Sequence, residues 1–204
     1  MLNEAETSFQ SSFNEYNSFH SMKKGFTSTE LLIAITIFVI VTGAVYLAFN
    51  LSQKAYREGQ NSAEITQNGR VIIERISREI RQAKEVIGDF PSAEEDATSS
   101  ITFEDGHISD PYHYIHYFKT DSEVKREVLG FYFSGDPTQT LQPWEAIPPV
   151  GQTLATTTLE TAVVIGEWVE KLDFWGSNVI NIVLTLTKAD KTLNLETKVF
   201  SRNF

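Results

Sequence analysis

The chain has 204 residues, 41% of them hydrophobic and 22% charged, which fits one or two small folded domains and excludes a large multidomain enzyme. Its 27 acidic side chains outnumber the 17 basic ones, and a net charge of −10 argues against a broad electrostatic grip on nucleic-acid phosphates. With no cysteine there is no disulfide, no thiolate metal site and no cysteine nucleophile.

Residues 1–21 are polar, rich in Ser, Asn and Glu and without a sustained apolar period, so they read as a disordered extension. Met22-Lys23-Lys24-Gly25-Phe26-Thr27-Ser28-Thr29-Glu30 then leads straight into Leu31–Phe49, a run without a single charge and close to the ~20 residues that one helix needs to cross a bilayer. Leu31, Leu32, Ile33, Ile35, Ile37, Phe38, Val39, Ile40 and Val41 form its densest part. An ordinary secretory signal ends in a small-residue cleavage site after its apolar core. Here the basic pair and a lone glycine stand before the apolar run, and no such site follows it.

Glu30 is out of place, because a carboxylate at the edge of a membrane segment is costly unless it has a partner. One reading seats it among the headgroups, with only Phe26 to Thr29 between it and Gly25. The other depends on a cut after Gly25, which would give Phe26 a cationic α-amino group four residues before Glu30. Amine and carboxylate at one depth on neighbouring subunits would neutralise each other and fix the axial register of a polymer.

From Asn50 to Ile87 there is no proline, and Ile65, Ile73, Ile76, Ile80, Ala83 and Ile87 mark one helical face. Glu74, Arg75, Arg78, Glu79 and Arg81 occupy the solvated face, Glu74 and Arg78 in the favourable i,i+4 order. The pattern predicts one helix from Phe26 to about Val86, with Gly43, Gly59 and Gly69 as points of bending or local melting, ended by Gly88-Asp89-Phe90-Pro91. Residues 92–100 form an acidic loop. Strands are predicted at Ile101–Phe103, Tyr112–Phe118, Val128–Phe133, Ala162–Ile165 and Val169–Phe174, interrupted by an irregular insertion at 136–152 that holds four of the six prolines. Val179–Thr187 alternates most cleanly, with Ile180, Ile182, Leu184 and Leu186 on one side; a Lys188–Lys191 turn then leads into Leu193, Leu195, Thr197 and Val199. The fold class is α+β, a long helix feeding an antiparallel sheet.

Lys23-Lys24-Gly25, Phe26, Glu30 and the apolar helix behind them resemble the class III signal of type IV prepilins and type II secretion pseudopilins. The resemblance implies the pilin-like fold, a leader of residues 1–25 cut by a prepilin peptidase between Gly25 and Phe26, a methylated Phe26 amine, and Glu30 as the acidic assembly residue. The leaders of this family are often short and basic, so the acidic stretch 1–21 departs from the pattern; it points to Met22 as the biological start, with a long leader as the alternative. Residues 71–83, the stretches 101–106 and 114–117, and the closing Leu193–Asn203 are similar to J-type minor pseudopilins and W-type minor pilins.

Other chemistry is weaker. His113 and His116, three apart in a strand, point to opposite faces and cannot chelate together. Glu104, Asp105, Asp110 and the Glu94-Glu95-Asp96 cluster offer oxygens to calcium but lack the spacing of a calcium loop, so no metal or other cofactor is expected. Ser99-Ser100 and Thr156–Thr158 have no ordered base and acid to activate them. Of the tryptophans, Trp168 and Trp175 are expected to line the sheet core and Trp144 to be exposed.

The expectation is a non-enzymatic minor filament subunit of a type IV pilus or a secretion pseudopilus. It comprises a leader (1–25), a transmembrane and filament-core helix (26–49), an amphipathic half-helix (50–87) and a β-rich head (88–204). Its expected partners are prepilin peptidase, other pilin or pseudopilin subunits, an assembly platform protein and the inner membrane, with the head on the extracytoplasmic side and no direct contact with nucleic acid. Two rival readings are a single-span anchored binding protein and a DNA-uptake pilus subunit.

Overall fold

In the computed structural model the described residues are 25–106 and 112–200. Lys23, Lys24, Met22, Asp110 and the closing residues 201–204 lie outside them. The chain divides into two units, residues 1–55 and 56–204. One helix, α1 (Ser28–Gln82), makes up most of the described part of the first unit and opens the second.

Within 56–204 the architecture is α+β, a helix packed on antiparallel sheets, the layout expected of a pilin-like fold. Seven strands follow α1: β1 (Ser100–Glu104), β2 (Tyr114–Thr120), β3 (Glu123–Phe133), β4 (Leu154–Gly166), β5 (Val169–Gly176), β6 (Val179–Lys188) and β7 (Lys191–Phe200). They form two sheets rather than the single one expected, β1-β2-β3-β4 and β5-β6-β7. The break falls at Gly166-Glu167-Trp168, where Trp168 takes a positive φ of 61° and turns the chain out of the first sheet. β4 is already irregular there, slipping register against β3 at three places.

The helix leaves α geometry at Gln82, several residues before the glycine-proline stop expected at Gly88–Pro91. The reason is tertiary. Lys84 N donates to Glu104 O, Glu104 N to Glu85 O and Ile87 N to Thr102 O, so residues 84–87 are recruited as a ribbon along the outer edge of β1. Thr98 covers the edge of β5 in the same way through reciprocal bonds with Phe174. Both devices satisfy edge groups that would otherwise be open.

The helix face that meets the sheets is Ile65, Gly69, Ile72, Ile76, Ile80 and Ala83, all buried. Ile72 takes the fully buried place expected of Ile73, which is half-buried beside it. Opposite lie Phe103, Tyr117, Phe174 and the alternating Ile180, Ile182, Leu184 and Leu186 of β6. Gly69 is not a flexible joint. A Cβ there would stand 2.7 Å from Leu195 Cδ1 and 3.0 Å from Leu186 Cδ1, so its missing side chain lets helix and sheet approach.

Candidate functional site

The candidate site is the start of α1, because that is where the chain leaves a large apolar surface unburied. Phe26 is 88% exposed, and Gly25 has open space where a side chain would stand. Leu31, Leu32, Ile33, Ile35, Ile37, Phe38, Val39, Ile40 and Val41 are each more than half exposed. Successive residues of a helix point about 100° apart, so exposed neighbours such as Leu31, Leu32 and Ile33 mean that the helix is apolar on every side. Such a helix needs an apolar solvent or apolar neighbours. Two polar side chains bond back within the helix: Thr36 Oγ1 donates to Leu32 O at 2.8 Å, and Asn50 Nδ2 donates to Tyr46 O at 2.9 Å. The helix is long and apolar enough to cross a membrane.

Glu30 and Thr27 cap this helix. Thr27 donates to Glu30 Oε2 through both its backbone N and its Oγ1, each at 2.9 Å, and Thr27 Oγ1 accepts Glu30 N at 3.3 Å. This is the reciprocal capping box that Thr-x-x-Glu makes at a helix N-terminus. The spacing Thr27-Ser28-Thr29-Glu30 before an apolar run was the available sequence signal, and reading Glu30 only as a membrane carboxylate passes it over. Both bonds that the Glu30 carboxylate accepts fall on Oε2, and Oε1 takes no part in the cap.

The remaining candidates are dispersed over the head. His116 Nδ1 lies 2.8 Å from Glu127 Oε1, its cross-strand partner on β3, while His113 precedes β2. Glu104 is buried and receives Lys84 Nζ at 2.5 Å, so its carboxylate is engaged; Asp105 follows β1, and Asp110 lies outside the described residues. Among the described residues no three His, Cys, Asp or Glu side chains gather into a metal-binding group. Thr156–Thr158 lie in β4.

The tryptophans differ from expectation. Trp144 is pinned rather than free, its Nε1 donating to Glu85 Oε1 at 2.8 Å and its backbone N to Tyr114 Oη at 3.0 Å. The exposed apolar residues of the Pro-rich segment are instead Ile147 (90%) and Val150 (105%). Trp168 and Trp175 are half-buried at the rim of the second sheet, Trp168 with the Lys188 ammonium 3.8 Å from its ring centroid.

A small polar cluster ties α1 to the first sheet. Glu79 Oε2 accepts Tyr117 Oη at 2.7 Å and Arg126 Nε at 3.0 Å, and Arg126 also reaches Glu160 at 2.9 Å. Burial works against the Arg126 charge, but Glu79 and Glu160 more than offset it and hold the guanidinium protonated. Glu79 and Arg126 are largely withdrawn from water, while Glu160 stays mostly exposed at the cluster's outer end.

No family model matches the chain, and neither a curated protein nor a solved structure matches it.

Proposed function

We propose that the chain is a prepilin-type filament subunit, a minor pilin or minor pseudopilin cut between Gly25 and Phe26 and assembled through its N-terminal helix. The observation that carries the reading is a helix that is apolar on every side over Leu31–Phe49 and becomes one-sided in its second half, where Ile65, Ile72, Ile76 and Ile80 are buried. A plain tether uses Glu30 only as a helix cap, whereas a subunit that exchanges lipid for neighbouring helices also has a use for its charge. In this reading Lys23 and Lys24 hold the leader on the cytoplasmic side of the inner membrane, and a prepilin peptidase removes it. The assembly platform then moves the helix from lipid into a core of other subunits' helices. The Phe26 amine of one subunit meets Oε1 of Glu30 on the next, the oxygen that the cap leaves over. The head stays outside.

The test is intact-mass analysis of the protein recovered from its native membrane, beside Gly25→Ala. The expected chain begins at Phe26 in the wild type and retains the leader in Gly25→Ala. A wild-type chain that still carries residues 23–25 overturns the proposal and leaves the anchored binding protein.

A further inference from the structure

Charge on the second unit is strongly segregated. Residues 56–84 carry six basic side chains against four acidic ones, whereas residues 85–204 carry nineteen acidic against eight basic. The basic excess has a direction. Arg70, Glu74, Arg78 and Arg81 recur at intervals of four, four and three and are all exposed, on the side of α1 opposite the buried Ile72, Ile76 and Ile80. Arg75 and Arg126, by contrast, are engaged with Glu79. Among the described residues Arg70, Arg78 and Arg81 form no ion pair. Gly59, Ala63 and Gln67, all exposed, continue the same face toward the helix start.

The matching surface is on the same chain. Glu94, Glu95 and Asp96 form one exposed 3₁₀ turn, held beside β5 by the Thr98–Phe174 bonds. We infer that the Arg70, Arg78 and Arg81 face of α1 docks the Glu94-Glu95-Asp96 turn of a second copy of this chain. Used one at a time, the two patches make a heterologous contact in which each copy that offers its arginines still has its own acidic turn free for the next; used both at once, they close a two-fold dimer. Contacts of the first kind run on into open assemblies unless the rotation closes a ring. A phosphate polymer is the poorer occupant. Glu74 interrupts the stripe, and the surplus of eleven negative charges over residues 85–204 repels a polyanion approaching the head.

The inference rests on the filament reading but has its own test. The chain lacks cysteine, so Arg78→Cys and Glu95→Cys each introduce a lone thiol into the full-length protein. Mixed in detergent and oxidised, these two variants are expected to form a mixed disulfide dimer that Arg78→Cys does not form with Thr192→Cys, an exposed site on β7. Arg78→Glu/Arg81→Glu is expected to weaken association measured by sedimentation at least tenfold, and mixing it with Glu94→Lys/Glu95→Lys to restore it. Unchanged helical circular dichroism separates these effects from misfolding. Association that ignores the reversal, or is not rescued by the complementary pair, overturns the inference. So does binding of phosphatidylserine vesicles or duplex DNA by the wild type that the arginine changes abolish. A chain cut before Phe26 that fails these tests removes the docking surface alone; an uncut chain removes the filament reading.

Discussion

Thr27 and Glu30 close on each other across the first turn of α1, so one carboxylate holds a helix end and also stands next to the predicted cleavage point. Two roles for Glu30 therefore have to be separated, and glutamine separates them, because it serves the capping box as well as glutamate but carries no charge. Glu30→Ala is expected to lose both the cap and the amine contact. Glu30→Gln keeps the cap. If the charge sets the stagger, both variants are processed and both yield few sheared filaments on an immunoblot. Wild-type filament yield from Glu30→Gln alongside failure of Glu30→Ala would assign Glu30 to capping and remove the amine contact.

The second prediction concerns the approach of helix to sheet. A Cβ on Gly166 would lie 2.2 Å from Ile72 Cδ1 and 2.4 Å from Ile72 Cγ1, with Asn68 Oδ1 at 3.2 Å. Asn68 Nδ2 also donates to Glu167 O at 2.5 Å, so the turn after β4 is fastened to α1 and cannot drift away to make room. Gly166→Ala is expected to cost about 1–3 kcal/mol by overpacking. Gly43→Ala, with open space at its Cβ, is expected to leave the thermal midpoint of the head unchanged. Equal midpoints for the two variants in differential scanning fluorimetry would contradict this packing.

The polar cluster gives the third. Tyr117→Phe removes one donor from Glu79 and leaves Arg126 in place, a loss of about 1 kcal/mol. Arg126→Met strips both Glu79 and Glu160 and leaves Glu79, only 16% exposed, with the neutral Tyr117 hydroxyl and a weaker 3.6 Å contact to Arg75. About 2 kcal/mol is expected, since bonds to charged groups are worth more and partial exposure screens the rest. A chemical-denaturation series in which Arg126→Met is no worse than Tyr117→Phe would show that the guanidinium is not the tie.

How much of this was legible in the sequence follows from the range of the interactions. The alternation Ile180, Ile182, Leu184, Leu186 and the spacing of Ile65, Ile76, Ile80 and Ala83 record burial residue by residue, and all of these side chains are buried. The end of α1 is not recorded locally: Lys84–Ile87 leave the helix because β1 offers them a free edge 17 or so residues on, and the Pro-containing stop lies further along. The same is true of the division into two sheets, decided by a positive φ at Trp168, a residue type for which that conformation is rare. Glu30 was visible as an anomaly, yet its bond to Thr27 was equally visible as a Thr-x-x-Glu spacing. Trp144 looked free because its partners, Glu85 and Tyr114, are 59 and 30 residues away.

The fourth prediction is a pH dependence. Tyr114 and Tyr117 are wholly buried, and burial, the largest effect on each, raises both hydroxyls above the usual value of 10.0, Tyr114 to about 12. Glu79 raises Tyr117 further, by charge and by accepting its proton in a hydrogen bond. Above pH 10 the unfolded chain therefore releases protons that the folded head keeps. The folded state then binds more protons than the unfolded one, so stability is intact below pH 10 and falls as pH rises, by up to about 1.4 kcal/mol per pH unit for each tyrosine. Tyrosinate absorbance is expected to rise in two stages, with the later one coinciding with loss of near-ultraviolet circular dichroism. Tyr114→Phe is expected to lose the Trp144 contact, yet to depend less steeply on pH between 10 and 12. A single absorbance stage completed while the head is still folded would mean that water reaches both rings.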